Sequence, residues 1–440
     1  MSKFMTVAWA AAVVLGAGLA SGAARADDGT DDRIARLEAL VRAQSEQMDR
    51  LRRDLDASRR DGGASRPTAE ELQAAVGAYV REVHPDGVLV APNDRVAPSG
   101  LRWGGYFHWR FQDASDDNSF FDQHRLILQA SADVTECLAF DMELEIEHGG
   151  VSDEIEGEVV LEKADLKLHL SDAFVPKVGW LLVPFGRYNL HHDDPLNDLT
   201  NRPFTARYLV PTGFGQPGLG AEGAAPFGCD HVFTYDVAVT NGFRDAFTAD
   251  QGVREARQAE DDNDGKQVWG RFAATWNTGG VLDYLETGVS GTWGVYDDAD
   301  EHEVVGYALD VLLRKGPFEA KAEWVAYDYE RGAADPVDAV RGQSALWVEA
   351  AWHFLPCALR SCRTCLVQDT SLFTLVARWQ TMDLDDRADG ASFNDDVEAT
   401  TVGLNYRITE RTVLRVDHTW YDADRATDRT EWTLSVSTYF

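Results

Sequence analysis

The stretch from Arg187 to Gln216 concentrates side chains that could bind or sort ions. Its charged and imidazole-bearing members include Arg187, His191, His192, Asp193, Asp194, Arg202 and Arg207. Proline and glycine residues interrupt the stretch, which predicts a long irregular loop. Fixed charges on such a loop would select ions by changing their local concentration if the loop narrowed a water-filled passage. We therefore predict a constriction here. The alternative is a surface loop packed on a neighbouring subunit, a role that its apolar residues would also suit.

The run His191-His192-Asp193-Asp194 does not predict a metal site. Adjacent residues rarely converge on one ion without a reverse turn, and no His-Glu-x-x-His helix accompanies them. We expect no cofactor, apart from Ca²⁺ or Mg²⁺ bound loosely by acidic pairs such as Asp297-Asp298 and Asp385-Asp386. The histidines are scattered and no Gly-x-Ser-x-Gly turn is present, so we predict that the protein is not an enzyme.

Further charges lie in segments where polar and apolar residues alternate. Glu143, Glu145 and Glu147 alternate with Met142, Leu144 and Ile146, and Lys163, Asp165 and Lys167 alternate with Ala164, Leu166 and Leu168. This period of two predicts strands with one wet and one apolar face. The same pattern assigns Arg102, His108, Arg110, Arg125, Arg271, Arg378, Arg407 and Arg415 to the wet face. Because both signs are present, the pattern predicts a mixed-charge lumen.

Sixteen such segments follow one another from residue 101 to residue 440. We place them at about 101–112, 121–134, 138–148, 157–170, 175–185, 217–227, 231–242, 267–277, 282–296, 303–314, 317–329, 343–355, 371–383, 396–408, 412–422 and 430–440. Short and long connections alternate between them, and the last segment ends on the aromatic Phe440. The predicted fold is all-β, a 16-stranded antiparallel transmembrane β-barrel preceded by a short α-helical coiled coil.

The first hundred residues divide differently. Residues 1–26 have the charged start, short apolar run and Ala24-Arg25-Ala26 site of a cleavable signal peptide. In residues 27–60 a heptad pattern that includes Ile34, Leu37, Val41 and Leu51 predicts a periplasmic coiled coil, or alternatively a lone amphipathic helix. Residues 61–100 form a linker with a weak helix, and residues 101–440 form the barrel.

The five cysteines fall in predicted periplasmic turns, in an oxidising compartment, and three of them share the one longer turn on that side. Cys357, Cys362 and Cys365 are spaced closely enough for a local disulfide. Free buried thiols and a metal site are the alternatives, but no fourth ligand for a metal is evident nearby.

The charge balance excludes one class of partner. The chain has 41 Lys and Arg against 74 Asp and Glu, a formal net charge of -33. A nucleic-acid partner is therefore not expected.

Three segments carry a family resemblance. Val183-Pro184-Phe185-Gly186-Arg187, then Asn189 to Arg202, then Gly218-Leu219-Gly220-Ala221-Glu222-Gly223 resemble the strand, loop and returning strand of porins related to the phosphate-selective O/P family. The resemblance implies a sixteen-stranded, trimeric channel in the bacterial outer membrane. Through ions on its acidic outer loops we expect it to contact lipopolysaccharide as well as lipid, and its periplasmic coiled coil could contact peptidoglycan. Few lysines and many acidic residues depart from the family, so phosphate selectivity is not expected. The alternative is a structural anchor that ties the membrane to the cell wall.

Overall fold

The computed structural model describes a folded region that begins at residue 101 and extends to residue 440. It describes residues 101–152, 155–228, 230–257, 263–297, 301–332, 339–359, 364, 366–385, 396–423 and 429–440. The predicted signal peptide, coiled coil and linker lie outside these residues. Among the described residues, no helix is both long and apolar enough to cross a lipid bilayer.

The described residues form a closed antiparallel barrel in which each strand pairs with its sequence neighbours. The strands are β1 (Arg102–Ala114), β2 (Phe120–Asp133), β3 (Leu138–Ser152), β4 (Ile155–Leu168), β5 (Val175–Leu182), β6 (Gly215–Phe227), β7 (His231–Thr240), β8 (Gln267–Thr275), β9 (Tyr284–Val295), β10 (Glu303–Lys315), β11 (Phe318–Tyr329), β12 (Gly342–Phe354), β13 (Leu372–Asp383), β14 (Val397–Thr409), β15 (Thr412–Ala423) and β16 (Arg429–Tyr439). The prediction of a 16-stranded antiparallel barrel is confirmed over the described residues. No strand edge is left unpaired in such a closed sheet, which removes the usual site of edge-to-edge aggregation.

The first and last strands close the barrel. Trp109 of β1 lies opposite Val436 of β16, and the Phe440 amide donates to the Gly105 carbonyl at 3.0 Å. Gly105 has a φ of +154°, and a Cβ there would lie 2.0 Å from the Ile127 carbonyl oxygen. Only glycine therefore lets β1 pass this close to β2.

The connections differ between the two ends of the barrel. We call the end with connections such as Lys315 to Phe318 the short-turn end, and the opposite end the long-loop end. One connection at the short-turn end, between Phe354 and Leu372, is longer and contains a single helical turn, Cys357–Leu359. The other connections alternate in length as the sequence predicts, except that only two residues separate β3 from β4 at the long-loop end and eight separate β8 from β9 at the short-turn end.

The two faces of the wall differ in polarity. Large apolar side chains are exposed on the outside, with aromatic residues near both ends of the strands. Those near the short-turn end include Trp103, Phe318, Trp352 and Phe440, and those near the long-loop end include Phe121, Trp293, Trp379 and Trp420. The inner face carries the buried charged residues, as the alternation in the sequence predicts.

One irregularity changes the inner face. The β3–β4 register shifts between Glu143 and Leu144, so Lys163 lies opposite Glu143 but Leu161 lies opposite Leu144. Glu162 is the extra residue of this β-bulge, and its side chain is completely buried while Leu161 is exposed. Glu162 is therefore an inward carboxylate that strict alternation does not predict.

Candidate functional site: the inward loop and the lumen wall

The segment between β5 and β6, residues 183–214, lies inside the barrel, and we call it the inward loop. It contains three short helical segments, Tyr188–Leu190, Asp194–Leu196 and Thr205–Leu209. The sequence left two positions open for this segment, inside the barrel or on its surface. The structure places it inside because its polar groups bond to strands on opposite sides of the lumen.

Asp194 attaches the loop to the wall formed by β1 and β2. Its carboxylate lies 2.7 Å from the His108 Nδ1 and 3.2 Å from an Arg125 nitrogen, and the residue is only 2% exposed. Burial opposes ionisation, but His108 and Arg125 outweigh it and hold the pKa of Asp194 well below its usual range. The loop is therefore tied to this wall by a buried charge.

Two arginines of neighbouring strands hold the backbone of the same segment. Arg415 of β15 donates to the carbonyls of Asp194 and Asn197, with its Nε 2.9 Å from the Asn197 oxygen. Arg407 of β14 donates to the Pro195 carbonyl at 2.6 Å and forms an ion pair with Asp198 at 3.1 Å. Helical turns this short leave most carbonyls without internal partners, and these guanidinium groups supply them.

Glu323 of β11 holds the beginning of the loop on another part of the wall. Its Oε2 accepts hydrogen bonds from the Arg187 amide at 2.6 Å and the Tyr188 amide at 2.9 Å, and its Oε1 accepts one from the Thr205 hydroxyl at 3.0 Å. Gly186 has a φ of +70°, and a Cβ there would lie 2.9 Å from Glu323 Oε2. Glycine thus permits both the backbone turn and the close approach to the carboxylate.

The middle of the loop contacts β13, β15 and β16. The Thr200 amide donates to Asp417 at 2.8 Å, and Asn201 donates to Glu431 at 2.5 Å. Arg378 of β13 donates to the Asn201 carbonyl. Together with the other contacts, these bonds make the loop a bridge across the lumen.

An apolar cluster fills part of the lumen toward the long-loop end. Phe204, Tyr208, Leu209 and Phe214 of the inward loop belong to it. A second loop, between β7 and β8, adds Phe243, Phe247, Val253 and Ala256. The Val253 amide donates to the Tyr208 carbonyl at 2.9 Å, so the two loops are joined. Sequence reasoning missed this second inward loop, although large apolar residues in an otherwise acidic connection were a usable signal.

Most predicted wall charges occur in ion pairs between neighbouring strands or between strands separated by one other strand. Arg125 pairs with Glu145 at 2.6 Å and Glu147 at 2.7 Å, and Arg271 pairs with Asp310 at 2.6 Å. Further pairs are Arg102 with Asp133, Arg110 with Asp122, Lys163 with Asp141, Lys167 with Glu222 and Arg378 with Glu349; Asp165 and Glu143 are also buried. Such pairing lowers the field that each charge would project into the lumen.

The charged residues of the inward loop point in different directions. His191 and Arg187 line a cavity that reaches the short-turn end. His192 instead faces β4, where its Nε2 lies 3.4 Å from the Glu162 carboxylate. Asp193 accepts a hydrogen bond from the Tyr439 hydroxyl at 2.7 Å, and the Arg207 guanidinium lies 5.5 Å from the centre of the Tyr208 ring. The run from His191 to Asp194 therefore does not converge on one point.

Arg202 is the exception among the loop cations. Its Nε and one terminal nitrogen are buried and have no hydrogen-bond partner among the described residues. Arg202 interacts electrostatically with Asp194 and Glu145. It is the loop residue whose charge is least compensated by direct contacts in the described region.

A cavity of about 760 Å³ lies beside the inward loop and reaches the short-turn end. Basic side chains in its lining are Arg187, Arg314, Lys321, Arg378 and Arg407, and acidic ones are Asp198, Asp283, Glu319 and Glu349. This part of the lumen combines both charges, as the sequence predicts for the whole interior. It has the size and polarity to hold small hydrated solutes.

The predicted cysteine cluster is only partly described. Cys357 is exposed in the connection between β12 and β13, whereas Cys362 and Cys365 lie outside the described residues. The local disulfide stays a prediction.

Comparison with known sequences gives one partial relative. No family model matches the chain, so the resemblance to the phosphate-selective O/P porins also stays a prediction. A curated protein of Aquifex aeolicus (strain VF5), described as uncharacterized, is 32% identical over 182 residues, which is 40% of this chain and 40% of that protein.

Comparison with solved structures finds outer-membrane proteins, a porin among them. The anion-selective porin from Comamonas acidovorans has a TM-score of 0.51 at 11% identity, over 78% of this chain and 100% of the porin. Salmonella typhi OmpF, solved with daunomycin, has a TM-score of 0.51 at 9% identity, over 78% of this chain and 98% of OmpF. In-vitro folded OmpT of Vibrio cholerae has a TM-score of 0.50 at 8% identity, over 80% and 100%. At these identities the likeness establishes the architecture, and this chain has the barrel fold of the outer-membrane porins.

Proposed function

We propose that the protein is a porin of the bacterial outer membrane, a channel for passive diffusion of ions and small hydrophilic solutes. The observation that carries this proposal is the closed 16-stranded barrel with charged residues inside and apolar residues outside. The outer face suits lipid because aromatic residues near both strand ends match the two interfaces of a membrane. A barrel of sixteen strands is wide enough to leave an aqueous lumen around a folded-in loop.

The inward loop supports a mechanism in which it sets the size of the passage. The loop crosses the lumen and is fixed to β1, β11, β14 and β15, so solutes must pass beside it. The polar cavity lined by Arg187, Lys321 and Arg378 offers such a path on the short-turn side. Its mixed charges would bias the entry of ions without forming a tight site for one solute. The solute range is therefore set by size and charge, and phosphate selectivity is not proposed.

A membrane anchor is the second candidate. The apolar cluster around Phe243 and Tyr327 favours it, because an interior packed in this way conducts less than an open lumen. The predicted coiled coil of residues 27–60 would then supply the link to the cell wall.

Single-channel recording in a planar bilayer separates the two candidates. We would use the purified full chain without its signal peptide and apply a salt gradient. Stable conductance steps with a measurable reversal potential support the channel. Folded protein that inserts without conducting would reject the channel and leave the anchor.

The same proposal covers the oligomeric state of the protein and its contacts with the membrane. We propose a homotrimer that contacts lipopolysaccharide, with Ca²⁺ or Mg²⁺ bridging acidic outer loops to lipid phosphates. Native mass spectrometry in mild detergent measures the number of chains.

A chelator should lower the thermal stability of the membrane-embedded protein, and unchanged stability would count against bridging ions. No enzymatic role is proposed.

A further inference from the structure

Three side chains from three different segments converge where the inward loop meets the wall. Glu143 of β3, Glu162 of β4 and His192 of the loop each place a possible ligand atom so that all three atoms lie within 4.8 Å of one another. Their exposed fractions are 8%, 0% and 3%. The group combines an imidazole nitrogen with carboxylate oxygens, a set that binds divalent transition metals in other proteins once the imidazole has released its second proton.

The hydrogen bonds of His192 orient it toward the carboxylates. Its Nδ1 lies 2.7 Å from the Asn189 carbonyl oxygen, which can only accept, so Nδ1 carries a proton. Nε2 then faces Glu162 Oε2. Metal-binding histidines commonly donate their second ring nitrogen to a backbone carbonyl in this way, which fixes the ring and its tautomer.

The separation between His192 and Glu162 suits two ligands of one ion. Nε2 and Oε2 are 3.4 Å apart, a long hydrogen bond compared with about 2.7–2.9 Å for a typical charge-assisted one. Two ligands at about 2.1 Å from a tetrahedral zinc ion stand about 3.4 Å apart.

A second observation concerns the other oxygen of Glu162. Oε1 is buried and accepts no hydrogen bond from an N–H or hydroxyl group of the described residues. The Glu145 carboxyl group is in hydrogen-bond contact with the Glu162 carboxylate instead. Two acidic groups buried in contact need a proton or a cation between them.

Two other clusters of similar composition already contain cations. Arg110 Nε lies 2.9 Å from Asp122 in the cluster with His124 and His148, and Lys321 pairs with Asp198 and Glu319 in the cluster with His353. Around Glu143 and Glu162, the positive residues Arg202 and Lys163 and the negative residue Asp193 act electrostatically, and the Glu145 carboxyl group is in hydrogen-bond contact with Glu162. The three-residue cluster is therefore the one best suited to a metal cation.

We propose that His192, Glu162 and Glu143 bind one divalent transition-metal ion, with Zn²⁺ as the best fit. Water would complete the coordination. The ion would fasten the inward loop to β3 and β4, beside the attachment made by Asp194. Sequence reasoning predicted no metal site because it considered only adjacent residues, whereas these three ligands come from distant segments.

Zinc binding to the folded full chain tests the proposal. Untagged protein in detergent is treated with a chelator, dialysed and titrated with Zn²⁺ by calorimetry, and Co²⁺ serves as a spectroscopic probe of four-coordinate geometry. We expect one tight site in the unmodified protein. Its affinity should fall at least about 100-fold in His192→Gln and in Glu162→Gln, because each removes a direct ligand. His148→Gln, in the neighbouring cluster, is the matched control and should retain the site.

The same experiment can overturn the proposal. Absence of Zn²⁺ binding by folded protein, or equal affinity in the unmodified and His192→Gln proteins, would show that His192 and Glu162 form only a buried ion pair. Loss of the site in His148→Gln alone would assign the metal to the other cluster. Circular dichroism of each variant verifies that the barrel has folded, so that loss of binding reflects loss of a ligand.

Discussion

Asp194 shows how one side chain can fix a loop inside a wide barrel. A carboxylate that is 2% exposed is stable only when its charge is compensated, and His108 and Arg125 supply the compensation from two strands. Arg415 binds the backbone of the same residue. The position of the loop thus depends on charge pairing with the wall and on apolar packing.

Replacing Asp194 with asparagine should release this attachment. The substitution keeps the shape of the side chain but leaves the buried Arg125 with less compensation, so we expect a loss of about 3–5 kcal/mol in the free energy of unfolding. The loosened loop should raise single-channel conductance and current noise. Unfolding by denaturant in detergent and bilayer recording measure the two effects. Asp172→Asn, in an exposed short turn, is the control and should change neither; equal behaviour of the two variants would contradict the role of Asp194.

Glu323 should contribute separately, because it holds the other side of the loop. Glutamine at this position can keep its carbonyl oxygen toward the Arg187 and Tyr188 amides and turn its NH2 toward the Thr205 hydroxyl, but it removes the negative charge. Hydrogen bonds to a charged group are worth about 1.5–3 kcal/mol each, more than those to a neutral one. We expect Glu323→Gln to lower the free energy of unfolding by an amount in this range.

The double variant Asp194→Asn with Glu323→Gln tests whether the two attachments act on one rigid loop. Residues without shared partners usually give additive effects within about 0.5 kcal/mol. A coupling larger than this, measured by a double-mutant cycle, indicates that the loop moves as a unit. Exact additivity would mean that the two ends move independently.

The sequence predicts most inward charges but not their partners. Alternation along β3 and β15 identifies Glu143, Glu145 and Arg415 because each strand has one wet face. The same reasoning does not identify Glu162, because the β-bulge at this residue interrupts the alternation of inward and outward side chains along β4. Pairing across strands depends on register, which the pattern of a single strand does not specify.

At the level of elements, the strands were predictable and the inward loops were not. Sixteen segments with a period of two give boundaries close to those observed, since the wall is two-sided along its whole length. The course of residues 183–214 depends instead on contacts with strands more than a hundred residues away, such as Glu323 and Arg415. The β7–β8 loop follows the same principle, because its apolar residues pack on the inward loop.

Phe243 is the residue through which the β7–β8 loop should support the inward loop. Its ring is completely buried and lies 5.7 Å from Phe214 and 5.6 Å from Trp269, measured between ring centroids. We expect Phe243→Ala to lower the free energy of unfolding by about 3–5 kcal/mol, since it leaves a cavity in packed surroundings. Conductance should rise because the apolar cluster narrows the lumen.

The control for Phe243 is an outward phenylalanine. Phe272 of β8 is 43% exposed on the outer face, so Phe272→Ala should leave conductance unchanged. Bilayer recording of both variants distinguishes narrowing of the lumen by the apolar cluster from a simple loss of stability. If the two variants conduct alike, the β7–β8 loop does not restrict the passage.

At the level of the whole molecule, the net charge of the chain and the charges that line the lumen should affect a passing ion differently. The chain carries a formal charge of -33, yet most charged residues of the inner wall are neutralised in ion pairs such as Arg125 with Glu145 and Arg271 with Asp310. Exposed acidic residues outside the wall lie in the described connections at both ends of the barrel, among them Asp116, Asp117 and Asp172. Cations should accumulate there at low ionic strength.

Ion selectivity should consequently depend on salt. Charges at the mouths act over a Debye length of about 10 Å at 0.1 M salt but only about 3 Å at 1 M. We expect a cation-favouring reversal potential at low salt that declines toward zero as salt rises, because the cavity with Arg187, Lys321 and Arg378 then determines passage at close range. Reversal potentials under a fixed salt ratio, repeated at several absolute concentrations, measure this decline. An anion-favouring potential at every concentration would place the selectivity in the basic residues of the cavity, and Lys321 would be the first residue to neutralise.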